Sequence, residues 1–463
     1  MLFRSNPVFS PPGGASWPTV LHDAASFAGA GPAAEWKMWF TRGDDANAVV
    51  AHAVSSDGRT WTEIVTGLEG AGPANAVRED PVRPGLLYAS TETSVYVSFD
   101  DGDHWQSLQL NLPDTPVNDL IVQERENDLV IATSGHSFWI LDDLSPLQQA
   151  AAAQRATGSH HLYAPRHAYR LASGGRGGFG GAEGSNGPSG AVLDFVLAEV
   201  PEGEAVTLSI RTILGDLVRT LSTQPDEDTS PAARPLQVDA GHNRITWDLR
   251  HENIPNIPGA YVFGSLQGRR VVPGTYSVEL RVGDWSMEQT LEVRMDPRVD
   301  ATLEDYIAQD AFVAEVANEL TEIHRAVTRN NDVKGQIESL LDRIGDDPNA
   351  EPVVEEGGSL AAELETVADS LYQRRTVDGQ TVINFPTRLK FQYVFLHGNA
   401  DGAETGVSMG SRDVLQDLRA RWSVHQATND ELIGPRLDAF NRLVQDAGFS
   451  MIIAPPRPRR PVS

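Results

Sequence analysis

The chain has 463 residues, with 37 Lys+Arg against 64 Asp+Glu and a formal net charge of −27. That length exceeds one ordinary domain, and 40% hydrophobic with 7% aromatic residues fits several globular domains with true cores. The acid excess argues against nucleic acid as a partner, and the absence of cysteine removes disulfides, thiolate catalysis and Cys-based metal sites.

No run approaches the roughly 18 apolar residues that a membrane span takes. Lysine occurs only at Lys37, Lys334 and Lys390, every other cation being arginine, which reads as genome composition or a saline habitat. Residues 1–35 have no apolar signal-peptide core and no periodicity until Trp36, so an irregular lead-in is expected, either native or the inner part of a longer protein.

From Trp36 to about residue 150 the pattern is one of short strands between turn residues, as in "GLLYAS", "SVYVSFD", "VNDLIVQ" and "DLVIAT". An internal repeat is visible. "SSDGRTWTEIVTGL" and "SFDDGDHWQSLQLNL" place Trp61 and Trp105 44 residues apart, and a third copy starts at Asn127. A period of about 40–50 residues with four strands per unit is the β-propeller signature. In the second copy Ser98, Asp100, Gly102 and Trp105 have the spacing of a structural hairpin. Asp100 is expected to accept turn N–H groups, Gly102 to supply positive φ, and Trp105 to cover the turn. No reactive group points at a substrate in such an arrangement.

That spacing is the Asp-box, and residues 76–149 resemble the closing blades of the large bacterial BNR-repeat proteins, related to sortilin-type propellers and often labelled glycosyl hydrolases. The resemblance implies a propeller, then an Ig-like module, then a helical tail, in a secreted or periplasmic protein. It covers about residues 40–449 and departs at the front, where the family has more blades. Two to three blades cannot close a ring that takes about four at least, so the missing N-terminal blades of the same protein are an expected partner. A sialidase-like relative would draw an arginine triad, a tyrosine–glutamate pair and an aspartate from several blades. No residue here sits in a matching motif, so no catalytic residue is assigned.

His104, His136, His160, His161 and His167 lack metal-site spacing, and neither metal nor cofactor is expected. The glycine-rich run 173–190 lacks the order of a phosphate loop and reads as a mobile loop opening a β-sandwich. Residues 160–297 then show about seven strands, resembling the Ig-like module of the flagellar hook-capping family. Gly215 and Asp216 form a turn there, Trp247 is a core anchor, and "PGTY" at 273–276 precedes a core strand. Trp285, Tyr261 and Phe263 are the aromatic side chains that could contact carbohydrate, with a core role as the plainer reading.

Residues 298–449 change to a period of 3.6. A helix of about 25 residues follows Thr302, with Asp305 completing a capping box, then a short second helix over 337–344 and a third over 360–371. "PTRLKFQYVFLHG" gives a fourth with Pro386 near its start, and a fifth and sixth are interrupted at Gly434–Pro435. Glu322 and His324, two apart, cannot share the face of a di-metal centre. Residues 450–463 read as a disordered basic-proline tail. The whole is expected to be multidomain, β then α: partial propeller over 36–150, Ig-like sandwich, antiparallel helical bundle. The expected function is a non-catalytic extracytoplasmic scaffold or binding module for a carbohydrate or protein ligand. The alternative is a fragment of a sialidase-like glycoside hydrolase whose cleft lies in other blades.

Overall fold

The computed structural model describes residues 15–21, 36–42, 49–55, 62–63, 66–155, 160–171, 187–225, 234–345, 347–404 and 406–450. The glycine-rich run up to 186 and the tail from 451 onward lie outside the described residues. Sheets come first and helices last, so the chain is mixed β and α. It divides into two compact units, Met1–Gly158 and Ser159–Ser463.

The first unit holds three antiparallel sheets with strands in chain order. One is β1 (Ala15–Leu21), β2 (Trp36–Arg42), β3 (Val49–Ser55) and β4 (Thr62–Glu63). The next is β5 (Ala74–Glu79), β6 (Leu87–Thr91), β7 (Val95–Ser98) and β8 (Gln106–Ser107). The last is β9 (Val117–Gln123), β10 (Asp128–Thr133) and β11 (Phe138–Leu141), followed by α1 (Ser145–Arg155). Strand β1 corrects the irregular lead-in: it pairs with β2, with a register shift between Ser16 and Thr19. Pro18 sits at that shift, and a residue without an N–H is tolerated on an edge strand beside a bulge, which breaks the alternation a sequence reading relies on. The second and third sheets share one core, Leu86, Tyr88, Val95 and Val97 packing with Val117, Leu120, Leu129 and Ile131.

The second unit starts with β12 (His161–Leu162), β13 (Ala168–Arg170), β14 (Ala191–Leu197), β15 (Val206–Thr212), β16 (Leu217–Ser222), β17 (Gly241–Trp247), β18 (Gly274–Val282) and β19 (Trp285–Met295). They form two sheets, β12-β14-β17 and β13-β19-β18-β15-β16. Alternation drives this: β18 buries Tyr276, Val278, Leu280 and Val282, one residue in two, into a core shared with Leu193, Phe195 and Trp247 of the other sheet. Trp247 is buried as the sequence suggests, edge-on to Tyr276 with its Nε1–H donating to the Arg250 carbonyl at 3.0 Å.

Five helices follow: α2 (Leu303–Ile344), α3 (Glu351–Leu371), α4 (Leu389–Gly402), α5 (Met409–Glu431) and α6 (Leu437–Asp446). The capping box is present, Asp305 N–H donating to Thr302 Oγ1 and Thr302 N–H to Asp305 Oδ2. Two expectations need correction. The first helix does not stop near Val327 but runs on through the stretch expected as a second, giving 42 residues. "RNNDVKG" is a poor helix former, yet it contains no proline, and Asn330 and Val333 are buried, so packing overrides propensity. Leu303 and Ile307, which a 3.6 period places on the apolar face of this helix, remain exposed. Between α5 and α6 the chain does break as expected, Gly434 leaving helical geometry before Pro435.

The 248–273 connection between β17 and β18 leaves the sheets and lies on the helices. Its Ile254 and Ile257 join the helical core with Val316, Leu320 and Tyr393. That placement creates the site described next.

Candidate functional site

The hairpin between β7 and β8 has the geometry its spacing implies. Ser98 Oγ donates to Asp100 Oδ1 at 2.9 Å and accepts from Gly102 N–H at 2.9 Å. Asp100 Oδ1 also accepts from His104 N–H at 2.9 Å, and His104 Nδ1 lies 2.8 Å from Oδ2. Gly102 has φ of 95°, where a side chain is strained. Trp105 is buried with Leu68, Ala71, Leu87 and Ala89. Burial opposes ionisation of Asp100, but the His104 N–H, the imidazole and the Ser98 hydroxyl together hold its carboxyl below the ordinary value. Every polar group of the motif is spent within the turn.

The three aromatic candidates separate. Trp285 begins β19 and packs against His160, ring centroids 5.3 Å apart. Tyr261 and Phe263 lie instead on the 248–273 connection, both exposed, and neither is a core residue. Phe263 stacks on Phe391 of α4 with centroids 5.8 Å apart and planes 13° from parallel, and Phe391 meets Phe395 at 4.9 Å. Beneath this stack is a narrow crevice of about 40 Å³ lined by Tyr261, Phe263, Phe391, Arg388 and Lys390. It adjoins a wider hollow of about 300 Å³ lined by Tyr372, Arg374, Arg375, Phe385 and Arg388. Tyr372, Phe385, Pro386 and Arg388 line both, so the two form one cleft.

Lys390 is the unexpected member. It is 6% exposed, and its ammonium donates to Asn256 Oδ1 at 3.0 Å and to the Tyr261 carbonyl at 3.4 Å. Both acceptors are neutral, and among the described residues no carboxylate pairs with it. Burial pushes its pKa down to about 8. Arg375 and Arg388 are likewise exposed without a carboxylate partner among the described residues, although Arg375 lies 5.7 Å over the Phe385 ring. Arg374, by contrast, is paired with Glu365 at 3.0 Å and Asp369 at 2.7 Å.

The connection carrying Tyr261 and Phe263 is fixed at both ends. His324 Nδ1 lies 2.6 Å from the Pro255 carbonyl, and burial pushes this imidazole down to about 4, keeping it neutral. Also near the start Arg250 pairs with Asp401 at 2.7 Å, and at the far end Arg269 pairs with Asp310 at 2.6 Å and Arg270 with Glu404 at 2.5 Å. Asp401 Oδ1 also takes the Arg270 N–H at 2.8 Å. Asp310 of α2, Asp401 of α4 and Glu404 just beyond α4 clamp the connection.

Sequence reading missed Lys390, Arg388, Phe391 and Tyr372. One signal was present: Lys390 occupies the buried stripe of α4 with Tyr393, Val394, His397 and Asp401, spacing at which an apolar residue is the default. Among the described residues no group of three or more His, Cys, Asp or Glu could hold a metal ion, and no helix is long and apolar enough to cross a membrane. Comparison with protein families, curated proteins and solved structures gives no match.

Proposed function

We propose that the chain is a non-catalytic binding scaffold of the BNR/Asp-box, sortilin-like kind: propeller blades over 36–150, an Ig-like module over 160–297 and a helical bundle over 298–449 that presents the ligand cleft. An extracytoplasmic location belongs to the same reading. Three antiparallel meanders in chain order support the blades. Phe138 and Ile140 of β11 and Ile121 of β9 are exposed, the kind of apolar strip one blade turns toward the next. For the Ig-like module, Tyr276 Oη donates to the Val272 carbonyl four residues upstream at 2.6 Å, similar to a tyrosine corner.

The observation that carries the non-catalytic reading is the self-satisfied hairpin. Ser98 and Asp100, the motif's reactive side-chain types, are consumed by turn N–H groups and by each other. The cleft supplies what binding needs, ring faces and cations, rather than a nucleophile with its base. Incubation of the whole chain with fluorogenic sialosides and β-glucosides tests this: no fluorophore release above the protein-free rate is expected, and release proportional to protein would refute it.

A further inference from the structure

We infer that the cleft between the 261–263 segment and the 372–390 segment binds a small carboxylate that carries a flat face, its carboxylate serving as the missing counter-ion of Lys390 and Arg388. The inference deepens the binding-scaffold reading by naming the ligand class.

In a chain of net charge −27, a random cleft should be acidic, and acids are abundant enough to neutralise every cation. Yet three cations, Arg375, Arg388 and Lys390, gather along one cleft with no carboxylate partner among the described residues, the acid that lines the hollow, Asp369, being paired with Arg374. Elsewhere in the same unit Arg250 and the buried Arg270 pair with Asp401, and Arg270 also with Glu404, whereas the buried Arg170 is met by the Val271 carbonyl and Gln309. Of the three only Lys390 is buried, and a buried ammonium without a counter-ion carries a desolvation cost that a ligand carboxylate would offset.

Burial adds to this. The Lys390 ammonium has three N–H donors against two neutral acceptors, and Lys390 is among the residues that line the crevice. The crevice volume of about 40 Å³ admits a carboxylate or a few waters, since one water takes roughly 10–15 Å³ on this measure, but not a ring. The ring must remain in the hollow of about 300 Å³, where Tyr372, Phe385 and Pro386 offer apolar faces. Arg388 lines both spaces and can meet the carboxylate from the other side. Two sources share this chemistry: an acidic sugar, whose C–H face lies on an aromatic ring, and an aromatic acid.

Titration calorimetry of the full chain with glucuronate, glucose, benzoate and benzyl alcohol tests the inference and separates the sources. Saturable binding of glucuronate or benzoate is expected, with its neutral counterpart failing to bind. Whichever carboxylate binds identifies the source. Lys390→Met is expected to weaken binding by about tenfold or more, as loss of a charge-assisted hydrogen bond does. Arg388→Gln, at an exposed position that does not threaten folding, should weaken it in the same direction. Equal binding of neutral and charged probes would overturn the counter-ion inference and leave the scaffold reading standing. Absence of binding by every probe, or wild-type affinity in both variants, would overturn it as well. Turnover of a fluorogenic sialoside or β-glucoside would refute the non-catalytic reading while leaving the ligand class intact.

Discussion

Replacing Lys390 by methionine should stabilise the protein. Burial lowers this ammonium from 10.5 to about 8, and at about 1.4 kcal/mol for each tenfold change the fall corresponds to about 3 kcal/mol of unfavourable burial. Methionine forfeits the hydrogen bonds to Asn256 and the Tyr261 carbonyl, worth about 1 kcal/mol each. The net expectation is a gain of about 1–2 kcal/mol near neutral pH, or a few degrees in Tm. Because the folded value is depressed, the unfolded chain holds the extra proton between about pH 8 and 10.5. Wild-type stability therefore rises with pH across that window, and the cost is present in full below it. The advantage of the variant should be largest below pH 8 and shrink as pH climbs toward 10.5. Urea unfolding of both proteins at neutral pH and at about pH 10 reads this out. A variant less stable than wild type at neutral pH would refute the reasoning, because Lys390 would then be a structural donor. A residue kept at a cost in stability is the pattern of a functional site. Ligand binding should follow the same proton, a carboxylate losing affinity as pH rises through about 8.

Asp100→Ala should destabilise the first unit by about 1–2 kcal/mol, the turn N–H of His104 and the Ser98 hydroxyl losing their acceptor, with no change in cleft binding; thermal melts and calorimetry check it. Asp401→Ala leaves the half-buried Arg250 without its carboxylate and the buried Arg270 with Glu404 alone, and should cost about 3–5 kcal/mol by urea unfolding, more than the isosteric Asp401→Asn. Burial opposes ionisation of Asp401 but the two arginines outweigh it, so its carboxyl lies below the ordinary value. The stability it contributes is present at neutral pH and lost as pH falls through that depressed value, which an acid titration of Asp401→Asn against wild type detects. Gly268→Ala would drive a methyl group into the His251 and Glu252 carbonyls. A loss of about 1–3 kcal/mol is expected, together with weaker ligand binding as the Tyr261–Phe263 segment shifts.

Local features were the legible ones. Ser98, Asp100, Gly102 and His104 form a hydrogen-bonded set within seven residues, and Thr302 with Asp305 one within four, so spacing alone describes them. Trp247 and the break at Gly434–Pro435 are similarly decided by residue type. Strand β1 escaped because Pro18 and the neighbouring register shift interrupt its alternation. The unbroken α2 escaped because burial of Asn330 and Val333 overrides their poor propensity. The cleft escaped for a deeper reason: the Tyr261 carbonyl and Lys390 are 129 positions apart. Only the docking of the 248–273 connection on the helices brings them together. The nearest sequence signal was a rare lysine within the buried stripe of α4.

Titration of the whole chain with methylumbelliferyl glucuronide, following heat and free fluorophore together, tests binding without turnover most directly, since this compound joins a carboxylate to a flat ring. Saturable binding that Lys390→Met weakens by about tenfold or more, with no methylumbelliferone released, is the expected result. Fluorophore release that scales with protein concentration would contradict the central claim.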